Sequence, residues 1–412
     1  MKFKCGVVPI LTLFAALTLT ACSAHEPTRE GTAGRAHSVA RQSATVHKSV
    51  PHPVAEAHTE KLAAKAPVLD MTKMQELDSI INRLSESRVV YVGETHDSYG
   101  HHLNQLEVIR QLHRRNPDMA IGMEFFQQPF QSALDEYISG RSGEKEMLLA
   151  TEWFERWRFD YRLYRPIMRY AREHGIPVIA LNVVRELTER VSEVGIEGLS
   201  AAERAQIPRQ LDDSDEDYRA RIRAVYQSHP RSGSGGFDRF LQVQLTWDEG
   251  MAERVTQYLQ KHTGRTMVVL AGSGHLMYGT GIPDRVSRRL PIASRILLPA
   301  DSIRLGPDIA DFVVYPASVE LPQAGLMGVL LEKGEKGVRI SGVVPHSAAD
   351  RAGITKGDVI QHLNGEVVTS VADIKVGMLD KSPGDKVELQ ILRKQMVWGG
   401  KLLQLEFELG GH

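Results

Sequence analysis

Cysteine, unbalanced charge and long hydrophobic runs are what this sequence lacks. Its 412 residues include two cysteines, Cys5 and Cys22, so disulfides, thiolate catalysis and cysteine metal ligands are excluded from everything after position 22. Lys and Arg number 50 against 51 Asp and Glu, a balance that argues against a nucleic-acid-binding protein. Beyond the N-terminus, no apolar run reaches the roughly 18 residues that cross a membrane as a helix.

The N-terminus has the pattern of an export signal. Residues 1–4 are basic, and residues 7–20 are apolar but too short and too interrupted by a proline to span a bilayer. Leu19-Thr-Ala-Cys22 resembles a bacterial lipobox, which implies that Cys22 is acylated, as with palmitate, and anchors the chain to a membrane. The residue after the cysteine is Ser23, whereas an aspartate at that position would resemble an inner-membrane retention signal. We therefore expect the protein to be anchored to the outer membrane, facing the periplasm. The alternative is an ordinary signal peptide in which Cys22 is incidental.

Composition divides the chain after the predicted signal, residues 1–22, into four segments. Residues 23–66 are rich in Ala, Ser, Thr, Pro and His, and they hold too little apolar surface to offset chain entropy, which predicts a disordered tether. Residues 67–305 alternate strand and helix patterns, residues 306–320 form a proline-marked linker, and residues 321–409 show short β-runs with glycine turns. The sequence therefore predicts an α/β domain followed by a small α+β domain.

Strands that alternate with helices predict a parallel sheet core with flanking helices in the first domain. Val89–Val92 is a β-branched run without apolar/polar alternation, which is typical of a strand covered on both faces. Further buried strands are predicted within residues 119–124, 175–182, 265–272 and 294–298.

Polar side chains follow four of these strands: Glu94 with His96, then Glu124, Asn182 and His275. The carboxyl ends of parallel strands meet at one edge of a sheet, so we expect these side chains to share one pocket. Imidazole and carboxylate groups could bind a divalent metal ion that activates water for hydrolysis. Two other uses stay open: a histidine that acts as general base without metal, or recognition of a ligand without reaction. For any one of these residues, a helix cap or a structural hydrogen-bonding group is the favoured interpretation, and it is the set as a whole that indicates a site.

Gly93-Glu-Thr-His96 and Gly272-Ser-Gly-His275 resemble the paired Gly-x-x-His motifs of the superfamily that contains ChaN-like haem-binding uptake lipoproteins, Tiki/TraB proteins and erythromycin esterases. Glu124 resembles the family's carboxylate on the second strand. The resemblance covers residues 66 to 305 and is greatest to the ChaN branch, for which it implies haem binding and iron uptake. For the relatives it implies metal-dependent peptidase or esterase chemistry, with Glu94, His96, Glu124 and His275 as metal ligands or catalytic groups.

Haem binding would require an apolar aromatic surface and an axial ligand to the iron. The residues between 153 and 164 are rich in aromatic side chains, although a packed helix interface explains them equally well. Tyr161, Tyr164 and Tyr278 are the candidate haem-binding residues, and one of the adjacent His101 and His102 is a further candidate for the axial ligand. His101 and His102 open a predicted helix, and we expect their imidazoles to be exposed to solvent.

The C-terminal segment resembles a PDZ domain of the bacterial protease-associated type, through Pro345-His-Ser-Ala-Ala-Asp-Arg-Ala-Gly353, Lys356-Gly-Asp358 and Leu363-Asn-Gly365. The resemblance implies capture of the C-terminal tail of a partner protein. The predicted peptide-binding residues are Gly325, Leu326, Met327, Gly328 and Val329. Met327 departs from the glycine that is common at its position. The alternatives are an envelope scaffold that acts mainly through this domain, or a PDZ fold that only packs against its neighbour or forms a homodimer.

Overall fold

The computed structural model describes residues 69–228, 235–334, 337–394 and 400–411. The predicted signal, its Cys22 and the predicted tether lie outside the described residues. The chain divides into two units, and the described part of the unit that spans residues 12–75 holds a short 3-10 helix, Met71–Lys73. Asp70 caps this helix by accepting a hydrogen bond from the Thr72 N–H (3.0 Å). Within the described ranges, no helix combines the length and apolar character needed to cross a membrane.

A six-stranded sheet forms the core of the N-terminal domain. Its strands are β1 Val89–Glu94, β2 Met119–Gln127, β3 Val178–Asn182, β4 Thr266–Gly272, β5 Ser294–Pro299 and β6 Phe312–Val314. All neighbours are parallel, in the order β3-β2-β4-β1-β5-β6, which confirms the predicted parallel α/β core. Strand β6 lies inside the segment predicted as a linker. The sequence did not predict this strand, because three residues are too few to show a hydrophobic period.

Eleven α-helices belong to this domain in the described residues. They are α1 Leu77–Ser85, α2 Tyr99–Arg115, α3 Gln131–Ile138, α4 Glu144–Ala150, α5 Trp153–Arg156, α6 Arg165–Glu173, α7 Arg185–Val194, α8 Ala201–Arg204, α9 Glu216–Ser228, α10 Gly236–Lys261 and α11 Ile282–Arg289.

The helices cover both faces of the sheet, which explains why its strands are apolar throughout. Val90 and Val92 pack on the face covered by α1, α2 and α6, whereas Val89 and Tyr91 pack on the face covered by α10 and α11. Adjacent strands β1 and β4 continue into α2 and α11, and therefore towards opposite faces. Such a divergence opens a crevice at the carboxyl ends of the two strands.

The C-terminal domain is built on an antiparallel sheet, as predicted for the PDZ region. Its strands are β7 Val329–Gly334, β8 Gly337–Val343, β9 Val359–Leu363, β10 Glu366–Val367, β11 Lys386–Lys394 and β12 Gly400–Glu408, and its helices are α12 Ala348–Arg351 and α13 Val371–Gly377. The order is β12-β11-β9-β8-β7, with β10 beside β9, so β7 has one strand neighbour and one open edge. Helix α13 packs against β7, and we call the strip between α13 and the open edge of β7 the groove.

Candidate functional site

The crevice at the carboxyl ends of β1, β2 and β4 gathers the predicted polar side chains. Glu94 is in register with Gly272, and the Gly272 N–H donates a hydrogen bond to Glu124 Oε2 (2.7 Å). Gly272 is needed for this close approach, since a Cβ there would lie 3.1 Å from His96 Cε1 and 3.7 Å from Glu124 Oε2. Residues far apart in the sequence therefore meet over one glycine.

The two carboxylates belong to opposite faces of the sheet. Side chains alternate along a strand, so Glu94 shares the face of Val90 and Val92, and Glu124 shares the face of Ala120. Both carboxylates are buried. Each face therefore supplies one glutamate to the same edge of the sheet.

Glu94 lies between two imidazoles. His96 Nδ1 contacts Glu94 Oε1, and His102 Nδ1 lies 2.9 Å from Glu94 Oε2. Burial by itself would raise the pKa of Glu94, but His102 and His96 outweigh it and lower the pKa to about 2. Burial would likewise lower the pKa of His96, yet the Glu94 carboxylate raises it. With Nδ1 held by Glu94, His96 keeps Nε2 for a ligand.

His275 has a matching support from the other face. Its Nδ1 lies 2.5 Å from Asp248 Oδ1, and its Nε2 lies 3.5 Å from Glu124 Oε1. Asp248 is buried on α10 and also accepts a hydrogen bond from the Tyr218 hydroxyl (2.8 Å). Burial would lower the pKa of His275, but Glu124 and Asp248 outweigh it and raise the pKa to about 9. Near neutral pH, His275 is a cation between two carboxylates.

The chemistry open to this arrangement follows from its donor atoms. Two imidazoles, each oriented by a buried carboxylate, can hold a metal-containing cofactor or transfer protons. Across the described ranges, no group of three or more His, Cys, Asp or Glu side chains is arranged to hold a metal ion. The predicted quartet Glu94, His96, Glu124 and His275 is thus brought together as two imidazole–carboxylate pairs.

Aromatic rings form a wall beside His96. The ring centroids of Trp157 and Phe159 lie 4.8 Å and 5.1 Å from that of His96. The Trp157 indole N–H donates to the Tyr164 hydroxyl oxygen (3.0 Å), and the Tyr164 O–H donates to the His96 carbonyl oxygen (3.0 Å). These contacts make an apolar surface next to a histidine whose side chain is 17% exposed.

The three candidate tyrosines occupy different surroundings. Tyr161 and Tyr164 are buried in the core, and the Tyr161 hydroxyl donates to Glu144 Oε1 (3.2 Å). Both hydroxyl groups are therefore engaged by the protein. Tyr278 is 46% exposed on the turn that follows His275, with a left-handed φ of 61°.

His101 and His102 are buried, at 2% and 1% exposure, so the prediction of solvent-exposed imidazoles was wrong. The first turn of α2 folds back under the β1 exit. His101 Nδ1 accepts a hydrogen bond from the Thr95 N–H (2.8 Å) and its Nε2 lies 2.8 Å from Asp301 Oδ1. Asn182, the fourth predicted strand-end residue, keeps its side-chain oxygen buried without a hydrogen-bond partner among the described residues.

The sequence analysis missed Asp248, which supports His275, and it missed the burial of His102 against Glu94. Asp248 lies three residues after Leu245 and three before Met251, so it belongs to the apolar face of α10. A carboxylate on an apolar helical face is a sign that a buried partner exists. That spacing was the available signal.

The predicted peptide loop of the C-terminal domain has free donors. The Gly325 and Leu326 N–H groups donate to Lys381 and Gly410 carbonyl oxygens, whereas those of Met327 and Gly328 find no acceptor in the part of the chain that the structure describes. Gly328 has a φ of 80°, and a Cβ there would lie 2.2 Å from Ser347 Cβ. Free amides beside the open edge of β7 suit a terminal carboxylate.

Comparison with known proteins gives matches to both domains. Residues 80–286 match the family model described as haem-binding uptake, Tiki superfamily, ChaN, and residues 325–409 match that of the PDZ domain. Protein RETICULATA-RELATED 5, chloroplastic, of Arabidopsis thaliana is 26% identical over 267 residues, which are 57% of this chain and 35% of that protein. The periplasmic pH-dependent serine endoprotease DegQ of Escherichia coli is 28% identical over 176 residues, 42% of this chain and 35% of that protein.

This chain thus spans about a third of the length of both curated relatives, 35% in each case. Among solved structures, that of cofacial heme binding to ChaN of Campylobacter jejuni is 17% identical, covers 58% of this chain and 92% of that chain, and superposes with a TM-score of 0.48.

Proposed function

The chain belongs to the haem-binding uptake, Tiki superfamily, ChaN family, and from this premise we propose that it binds haem at the carboxyl edge of its parallel sheet and serves iron uptake at the cell envelope. The single observation that carries the proposal is the environment of the His96 imidazole. Its Nδ1 is held by a buried carboxylate, its Nε2 is left for a ligand, and two aromatic rings flank it.

These residues fit a haem group. A histidine that donates its second ring N–H to a carboxylate is a stronger iron ligand, and a porphyrin requires a flat apolar surface of the kind that Trp157 and Phe159 supply. Haem, when bound, would supply the iron that is the cargo of uptake. Of the three candidate tyrosines, Tyr278 is the one whose phenol is exposed, so we assign it as the second residue that faces haem.

Haemin titration of the chain without residues 1–22 tests the proposal. We expect a Soret band that saturates with haemin, and His96→Ala should abolish it. Glu94→Gln should weaken haem binding by about 10–100-fold, because the imidazole loses the partner that orients it. His174→Ala is the matched control, since His174 directly follows α6 and its Nδ1 is hydrogen-bonded to the Tyr170 carbonyl oxygen. An absent Soret band would refute haem binding, and equal binding by His96→Ala and the parent chain would refute His96 as the residue that carries it.

The place of action that we propose is the outer membrane, facing the periplasm, with Cys22 as lipid anchor. The lipobox-like sequence and the membership in an uptake family support it. In cells fed labelled palmitate, the parent chain should carry label and sediment with membranes. Cys22→Ser should lose both properties, and a labelled Cys22→Ser chain would exclude this anchor.

The C-terminal domain extends the proposal to a protein partner. A protein C-terminus with an apolar last residue fits the groove. The Met327 and Gly328 N–H groups, which have no acceptor among the described residues, lie beside it, and β7 offers an open edge. This domain would bring the haem-binding domain to a partner in the envelope.

A further inference from the structure

The groove helix of the PDZ domain belongs to two cores. Val371 and Ile374 of α13 pack with Val329 and Leu331 of β7 inside the C-terminal domain. Val376, on another face of the same helix, joins the hydrophobic core of the α/β domain together with Leu379 just beyond it. One wall of the peptide groove is therefore also the contact between the domains.

Polar contacts reinforce this docking. Asp380 Oδ1 lies 2.6 Å from Arg165 Nη2, and Lys375 Nζ lies 5.3 Å from the centre of the Phe154 ring. Helix α13 packs against both α4 and α5. The groove helix thus rests directly on the segment that carries Phe154.

That segment, residues 152–159, is the same one that walls the haem site, and we call it the aromatic segment. Glu152 is its first residue and Arg158 its last but one. Both are non-glycine residues with left-handed φ angles, 50° and 72°. Trp153 Nε1–H donates to the Phe159 carbonyl oxygen (3.0 Å), which ties its two ends together. Residues held in such sparsely populated backbone conformations persist only when their surroundings fix them, and they are common in segments that switch.

We infer that a peptide C-terminus bound between β7 and α13 controls access to His96 through the aromatic segment. A peptide that enters the groove shifts α13 relative to β7, and this shift disturbs the contacts that Lys375 and Val376 of α13, and Leu379 just beyond it, make with the α/β domain. Loss of these contacts frees the aromatic segment, so that Trp157 and Phe159 move off the His96 imidazole. Peptide binding therefore favours haem binding, and by thermodynamic linkage haem favours peptide binding by the same factor.

This inference rests on the proposed haem function, and its test uses the full chain. The probe is a fluorescent decapeptide with a free C-terminal carboxylate and an apolar last residue, selected by panning a C-terminal decapeptide library, and its amidated form is the control. Saturating peptide should tighten haemin binding, read from the Soret band, by about 5–150-fold, the usual range of such coupling. Haemin should tighten peptide binding, read by anisotropy, by the same factor. The amidated peptide should do neither.

A pair of matched variants tests the route without any peptide. Asp380→Arg faces Arg165 with a like charge and should weaken the docking of α13, so haemin should bind as tightly as it does to the peptide-loaded parent. Glu366→Arg makes the same charge change at an exposed position of the same domain, where the described residues show no ion pair with the α/β domain, and it should behave as the parent.

The outcomes separate this inference from the proposed function. Haem binding that is equal with and without bound peptide overturns the coupling and leaves the haem proposal intact, and so does a library that yields no binder. If no Soret band forms, the haem proposal fails, and the tryptophan emission still decides the coupling. A peptide-induced change in emission that is lost in Trp157→Phe and Asp380→Arg supports movement of the aromatic segment, and an unchanged emission overturns it.

Discussion

Glu249→Ala is expected to lower the free energy of unfolding by about 3–5 kcal/mol, the cost of breaking a buried ion pair by removing one partner. Glu249 is fully buried on α10, and three arginines surround its carboxylate. Arg288 Nη2 lies 2.7 Å and Arg285 Nε 3.3 Å from Oε1, and Arg289 Nη2 lies 2.5 Å from Oε2. Arg285 is itself only 2% exposed, so in Glu249→Ala its guanidinium charge would stay buried without this carboxylate partner.

The effect should reach the candidate site, because Glu249 adjoins Asp248. The three arginines belong to α11, so the carboxylate fixes α10 to α11 and thereby places Asp248 against His275. Urea unfolding followed by circular dichroism measures the loss. Glu253→Ala, a glutamate one turn later on the same helix without an ion pair among the described residues, should change stability by less than about 0.5 kcal/mol. Equal midpoints for the two variants would show that the arginine cluster is solvated and that its charge is not buried.

The sheet was predictable because its signals are local. A strand buried on both faces shows an unbroken apolar run, and each such run in this sequence ends in a glycine or a polar residue, so β1, β2 and β4 and the residues at their exits were found together. The meeting of Glu94, Glu124 and His275 then required only that the strands be parallel neighbours. Strand order itself is a long-range property, and no local pattern states it.

The supporting residues were harder to predict for a physical reason. His102 was expected at the surface because the start of an isolated helix is solvated, yet the helix start folds under the β1 exit and buries it against Glu94. The packing of α13 in the cores of both domains was equally hard to predict, because it too depends on long-range contacts. Its apolar positions fit a PDZ helix alone, and nothing local distinguishes Val376, which faces the other domain, from Ile374, which faces its own.

The free energy of unfolding should fall by on the order of 3 kcal/mol as pH rises from 6.5 through 9, because the folded chain holds the proton of His275 more tightly than the unfolded chain does. The folded pKa of His275 is about 9 against 6.5 for an ordinary histidine. A raised pKa contributes stability that is complete below 6.5 and is lost as pH passes through 9. The raised pKa of His96 acts in the same direction.

On the acid side, Glu94 has a pKa of about 2 against 4.5 for an ordinary glutamate. Its contribution to stability is therefore complete above pH 4.5 and is lost as pH falls through 2.

Stability should therefore be greatest between about pH 4.5 and 6.5, and urea unfolding at a series of pH values measures it. Asp248→Asn removes one of the two carboxylates that raise the pKa of His275, so the alkaline fall should shrink and move to lower pH. Asp301→Asn is the matched control: Asp301 pairs with His101, whose pKa burial lowers, so this imidazole does not contribute to the alkaline fall. Its alkaline profile should follow the parent. A parent chain whose stability stays level from pH 6.5 to 9 would mean that His275 is neutral in the fold, and that Asp248 and Glu124 do not hold a cation between them.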